Sequence, residues 1–159
     1  MAPVGGLFLA AFGATLIFGG LFPRYRGRST WIGFALGVAA VGLFGGRLLR
    51  PPPPTAFQLG ALALAVGLEV AAFALLLPKL HRAGERAVVA GTLAIVGGHF
   101  AVMMPAFGPV IGLLGGLCIA NALILWRSPG YALGTGWTVD GALKLVLGAA
   151  MIASGAATG

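Results

Sequence analysis

The sequence predicts an all-α polytopic membrane protein. It reads as a single domain, residues 1–159, folded as a compact bundle of six transmembrane helices in three tandem hairpins. Three observations carry this prediction. First, 59% of the residues are hydrophobic and only 8% are charged, against about 25% charged in soluble globular domains. Second, mean hydropathy is +1.03. A soluble fold of this size buries only about two-thirds of its surface, too little to hide so much apolar area. Third, long apolar runs alternate with short breaks rich in proline and arginine. Lipid as the outer solvent removes the conflict.

About 20 apolar residues cross about 30 Å of hydrocarbon. Six segments meet that length, at 4–22, 31–49, 57–77, 87–104, 108–126 and 137–157. The first has no basic stretch ahead of it, so it reads as a retained span and not as a cleaved signal peptide. The breaks are PRYRGRST, RPPPPT, PKLHRAGER, PAFGP and RSPGYALGTG. Each contains proline, which ends or kinks a helix. The second span has the least sharp end, because Arg47 and Arg50 lie there.

Orientation follows from the basic residues. Arg24, Arg26, Arg28, Lys79, Arg82, Arg86 and Arg127 lie in connections 1–2, 3–4 and 5–6. The opposite side holds Arg47 and Arg50. The positive-inside rule puts the first set in the cytoplasm and both termini outside. Tyr25, Trp31, Trp126, Tyr131 and Trp137 fall at the same basic side, as an interfacial aromatic belt does. The expected location is therefore the cell membrane, with anionic lipid headgroups meeting the seven basic residues. A weak repeat accompanies this pattern. Pro23-Arg24, Pro78-Lys79 and Arg127-Ser128-Pro129 each follow an odd-numbered span, which makes three units of helix, basic turn, helix.

Glycine supplies 28 residues, and Gly33 and Gly37 stand four apart. Small residues at that spacing let membrane helices approach closely. Packing within the bundle is the first reading of this pattern; a homo-oligomeric interface is the other.

Several functions are excluded or unsupported. The net charge of +7 does not imply nucleic acid, because the charges cluster between spans and no nucleic-acid motif is present. No zinc spacing, phosphate loop, dinucleotide fingerprint or nucleophile motif occurs. The sequence predicts no cofactor, no metal and no catalytic residue, so a non-enzyme is expected. His99 and Met103 are four apart, but a soft-metal site with Met104 or Cys118 would need Cys118 at a different depth.

The strongly polar side chains inside the spans are Thr15, Glu69, His99, Asn121, Asp140 and Lys144. An ionised group at the bilayer centre costs roughly 2.5–3.5 kcal/mol on insertion scales, so such groups turn inward and find partners. At about 1.5 Å per residue, Glu69, Lys144, Asn121 and Thr15 fall about 9–13 Å from the cytoplasmic ends of their spans. Asp140 is shallower, at about 5 Å, and His99 deeper, at about 18 Å, in the outer half.

A polar layer is expected there, with Lys144 as the preferred partner of Glu69. Asp140 and Lys144 are also four apart on one helix and can pair. Two acids then share one ammonium, and the second acid must be solvated, protonated or bound to a cation. The leading functional reading is a transport-type protein, an ion, proton or small-solute channel or carrier. Glu69 would be the binding acid, Lys144 its counter-charge, Asp140 the acid nearer the gate, Asn121 and Thr15 neutral ligands, and His99 an outward relay. The alternative is a scaffold or accessory subunit whose buried polar residues only fix helix packing.

Overall fold

The structure, a computed structural model, describes residues 2–45 and 53–156. Arg47 and Arg50, and with them the end of the second expected span, lie outside the described residues. Among the described residues every regular element is a helix, with no strand. The helices are α1 (Ala2–Leu21), α2 (Arg26–Ala40), α3 (Ala56–Ala83), α4 (Glu85–Phe107), α5 (Pro109–Arg127) and α6 (Leu133–Ala156). Among the described residues six helical segments are long and apolar enough to cross a membrane. This is the build of a multi-pass membrane protein.

The helix ends correct several expected boundaries. The break after α1 is mostly helical: a 3-10 turn, Pro23–Tyr25, leads into α2, and a π turn, Val41–Gly45, ends it. Arg26 and Arg28 are therefore helical residues and not loop residues. The third span does not end before Pro78 but runs on to Ala83. The fourth likewise passes Pro105 and reaches Phe107. A proline deletes only its own N–H bond and crowds the carbonyl four residues back, so a long helix held at both ends can absorb it.

Those ends are well specified. Thr55 accepts from the Gln58 N–H and Gln58 bonds back to the Thr55 N–H, a reciprocal capping box. At the other end His81 and Arg82 occupy the last turn of α3, where positive charge suits the helix dipole. The chain then reverses at Gly84, with φ 102°, and again at Gly108, with φ 96°. A side chain is strained at such angles, and glycine is not. Pro109 opens α5, where its missing N–H is no loss.

Two compact units are present. The first combines residues 1–54 with 137–159. In it α1 packs on α2, with Gly33 under Thr15 and Phe12, and Gly37 under Phe8. The backbones of α1 and α6 meet at glycines. A Cβ on Gly13 would lie 2.5 Å from the Gly141 carbonyl, and one on Gly6 would lie 2.5 Å from that of Gly148. The second unit, residues 55–136, packs α3 on α4 and α4 on α5. At the crossing of α4 and α5, backbone meets backbone: a Cβ on Gly115 would stand 2.6 Å from the Gly97 carbonyl. Large apolar side chains such as Leu64, Val70 and Leu75 face outward from α3. That is the surface a lipid solvent favours and water does not.

Candidate functional site

In the second unit α3 and α4 run antiparallel from the Gly84 turn. Glu69 precedes Gly84 by fifteen residues and His99 follows it by fifteen. Helical rise is the same on both arms, so the two side chains stand level, about 22 Å from the turn. Nδ1 of His99 lies 2.8 Å from Oε2 of Glu69. The ring N–H is not bonded along that line, so the contact is a short electrostatic one and not a linear hydrogen bond. The His99 side chain is 13% exposed and that of Glu69 24%. Neither group is sealed. Phe100 meets the imidazole edge-on, with ring centroids 5.5 Å apart, and walls one side.

Each member of the expected Glu69–Lys144 pairing has a near neighbour within its own unit, His99 for Glu69 and Asp140 for Lys144. Lys144 pairs with Asp140, one turn earlier on α6. The two side chains are 1% and 2% exposed, so the pair is sealed. Proximity decides the choice: residues four apart on a helix are already neighbours. The depth of Glu69 had been measured from Pro78, where the helix does not end. Measured from Gly84, Glu69 shares the level of His99. Oδ1 of Asp140 and Nε1 of Trp137 have no hydrogen-bond partner among the described residues.

The remaining candidates are placed as follows. Asn121, buried on α5, donates from Nδ2 to the Gly136 carbonyl at 2.8 Å and accepts from the Tyr131 hydroxyl at 3.0 Å. Burial pushes the Tyr131 phenol above its ordinary value, which keeps it protonated as a donor. Thr15 donates to the Phe12 carbonyl of its own helix at 2.7 Å. Both therefore satisfy backbone or neighbouring groups. Lys79 and Arg82 are exposed at the end of α3, and Arg127 is exposed at the end of α5.

Arg86 is engaged inside the second unit. Its Nη1 donates to the carbonyls of Leu125, Ser128 and Tyr131 at 2.7, 3.1 and 3.0 Å, and Nη2 to that of Pro129 at 2.9 Å. The last carbonyls of a helix have no partner within it, and a guanidinium supplies several donors in one fork. Arg86 thus caps α5 and holds the turn that carries Tyr131. Sequence reasoning missed both this clamp and the Tyr131–Asn121 bond, since Arg86 looks like any other basic residue near a turn.

No protein-family model, curated protein or solved structure matches this chain. The site is therefore read from its own chemistry. A carboxylate and an imidazole in contact, partly exposed at mid-span, can exchange a proton between them and with a third group. Among the described residues no group of three or more histidine, cysteine or acidic side chains could hold a metal ion.

Proposed function

We propose that this chain is a small transport-type protein of the cell membrane, in which Glu69 and His99 bind and pass on a proton. The single observation that carries the reading is the 2.8 Å contact between the two groups on facing helices. An intramembrane ionisable residue is a functional candidate by default. Histidine is the side chain that changes charge nearest neutral pH, which suits it to trade a proton with a carboxylate. Neither side chain of this pair is packed shut, which leaves it open to a third group, whereas the Asp140–Lys144 pair is sealed. The chain crosses six times as three helix–basic turn–helix hairpins, with its basic ends in the cytoplasm and both termini outside, as the positive-inside rule directs. Its work is non-enzymatic, with Asp140, Lys144 and Thr15 supporting the first unit and Asn121 the second.

The test uses purified protein reconstituted into vesicles that contain a pH-sensitive dye. Wild type is expected to dissipate an imposed pH gradient faster than protein-free vesicles. Glu69→Gln should abolish the excess flux while the melting temperature in detergent holds, and His99→Gln should slow it. Equal flux for wild type, Glu69→Gln and empty vesicles would overturn the reading.

A second reading, a scaffold or accessory subunit, draws on the Asp140–Lys144 pair, whose side chains are 1% and 2% exposed. Buried ion pairs fix packing geometry in some proteins. It predicts no flux in any variant and a loss of stability alone.

A further inference from the structure

A groove opens between α1 and α2 within the first unit. It has a volume of about 280 Å³ and is lined by Ala14, Thr15, Phe18, Tyr25, Ser29 and Ile32. Ala14, Phe18 and Ile32 are exposed, so it is open along one side. Its polar groups are already spent: the Thr15 and Ser29 hydroxyls donate to the Phe12 and Arg26 carbonyls, each at 2.7 Å. What remains is an apolar trough. From Tyr25 at its mouth it runs inward along α1 to Ala14, seven residues before the end of that helix at Leu21, or about 10 Å.

The mouth is strongly positive. Arg24 lies over the Tyr25 ring, its guanidinium carbon 4.6 Å from the centroid. Arg28 is exposed and sits between Tyr25 and Ile32 in the same helical stripe, three residues from one and four from the other. The N-terminus of α2 has no acidic residue in its first turn and no side-chain cap, and its dipole adds further positive potential there. Trp31, 77% exposed on the next turn, marks the interfacial level at which such rings settle.

We infer that this groove binds one anionic phospholipid, with a phosphate held by Arg24 and Arg28 and an acyl chain laid over Phe18 and Ile32 toward Ala14. Charge and shape together choose the occupant. An apolar trough alone would take any chain in the bilayer, and basic residues alone would attract any anionic headgroup. A positive mouth opening onto a short apolar trough at interfacial depth selects a molecule that carries both parts. The volume is small for a drug-sized solute and suits a segment of acyl chain. The inference rests on the membrane placement proposed above but not on proton handling by Glu69 and His99.

The test is native mass spectrometry of the full chain in detergent, titrated with phosphatidylglycerol or with phosphatidylcholine. Wild type should retain one phosphatidylglycerol at concentrations where phosphatidylcholine is not retained. Arg24→Gln with Arg28→Gln should weaken retention roughly tenfold or more, given the usual contribution of each basic residue near an anionic surface. Ala14→Phe, which fills the trough and leaves every charge in place, should abolish retention. Unchanged thermal melting shows that each variant is folded. Retention that survives Ala14→Phe, or that is equal for the two lipids, overturns the inference. So does a dimer peak that Ala14→Phe removes, which would give the groove to a second copy. Failure here alongside normal insertion into vesicles would sink this inference alone; failure to insert would sink the membrane reading as well.

Discussion

Removing one member of the Asp140–Lys144 pair is the sharpest perturbation of the first unit. Both side chains are 2% exposed or less, so neither can turn to solvent when its partner is neutralised. Breaking a buried pair by removing one partner costs about 3–5 kcal/mol. For a chain of this size each kcal/mol moves the melting temperature by about 2–4 °C. Asp140→Asn or Lys144→Met alone should therefore lower the melting temperature by roughly 6–20 °C. The double variant removes both charges of the pair and should recover most of that loss. Glu69→Gln should neither reproduce the effect nor be rescued by Lys144→Met, because Glu69 meets His99. The assay is thermal unfolding in one detergent, followed by intrinsic tryptophan fluorescence. If Lys144→Met rescues Glu69→Gln and not Asp140→Asn, the assignment of partners is wrong. If neither single variant moves the transition, the pair is not load-carrying at all.

Two further outcomes are expected. A Cβ at Gly13 must move about 0.9 Å, from 2.5 Å to the 3.4 Å of ordinary contact, and backbone stands against backbone there. Gly13→Ala should thus destabilise by about 1–3 kcal/mol, as overpacking does. Gly67→Ala, where a Cβ meets nothing within 4 Å, should be neutral or stabilising in the same melt. Secondly, burial raises the Tyr131 phenol above 10.0. The hydrogen bond to Asn121 is then fully present at neutral pH and is lost only as pH rises through that higher value. In a Tyr25→Phe background the remaining phenol should ionise above 10.0 by ultraviolet absorbance, and an ordinary titration would refute its burial.

Much of this architecture was legible in the residues. The six spans follow from apolar run length alone, because hydrocarbon thickness sets a minimum that few other folds impose. The ends were less legible, since proline was read as a stop at Pro78 and Pro105 when each is a local interruption. That one error propagated. With α3 ending at 77, Glu69 appeared shallow and His99 remote; with the turn at Gly84, the two coincide. The Asp140–Lys144 pair is visible in its spacing, because residues four apart on a helix are neighbours. Arg86 carried no distinguishing pattern: its partners are backbone carbonyls about 40 residues away, which a sequence does not label.

The glycine contacts of α1 and α6 have a mechanical meaning. Gly6 meets Gly148 and Gly13 meets Gly141, so each helix offers two notches seven residues apart, and the notches mesh in opposite order. Two meshing points fix an antiparallel alignment as two teeth fix a gear. Sliding either helix by one turn would drive side chains into both notches at once. Sliding of packed helices is one common way for a protein to change shape, and for this pair it is closed. Any motion inside the first unit must carry α1 and α6 together as one rod.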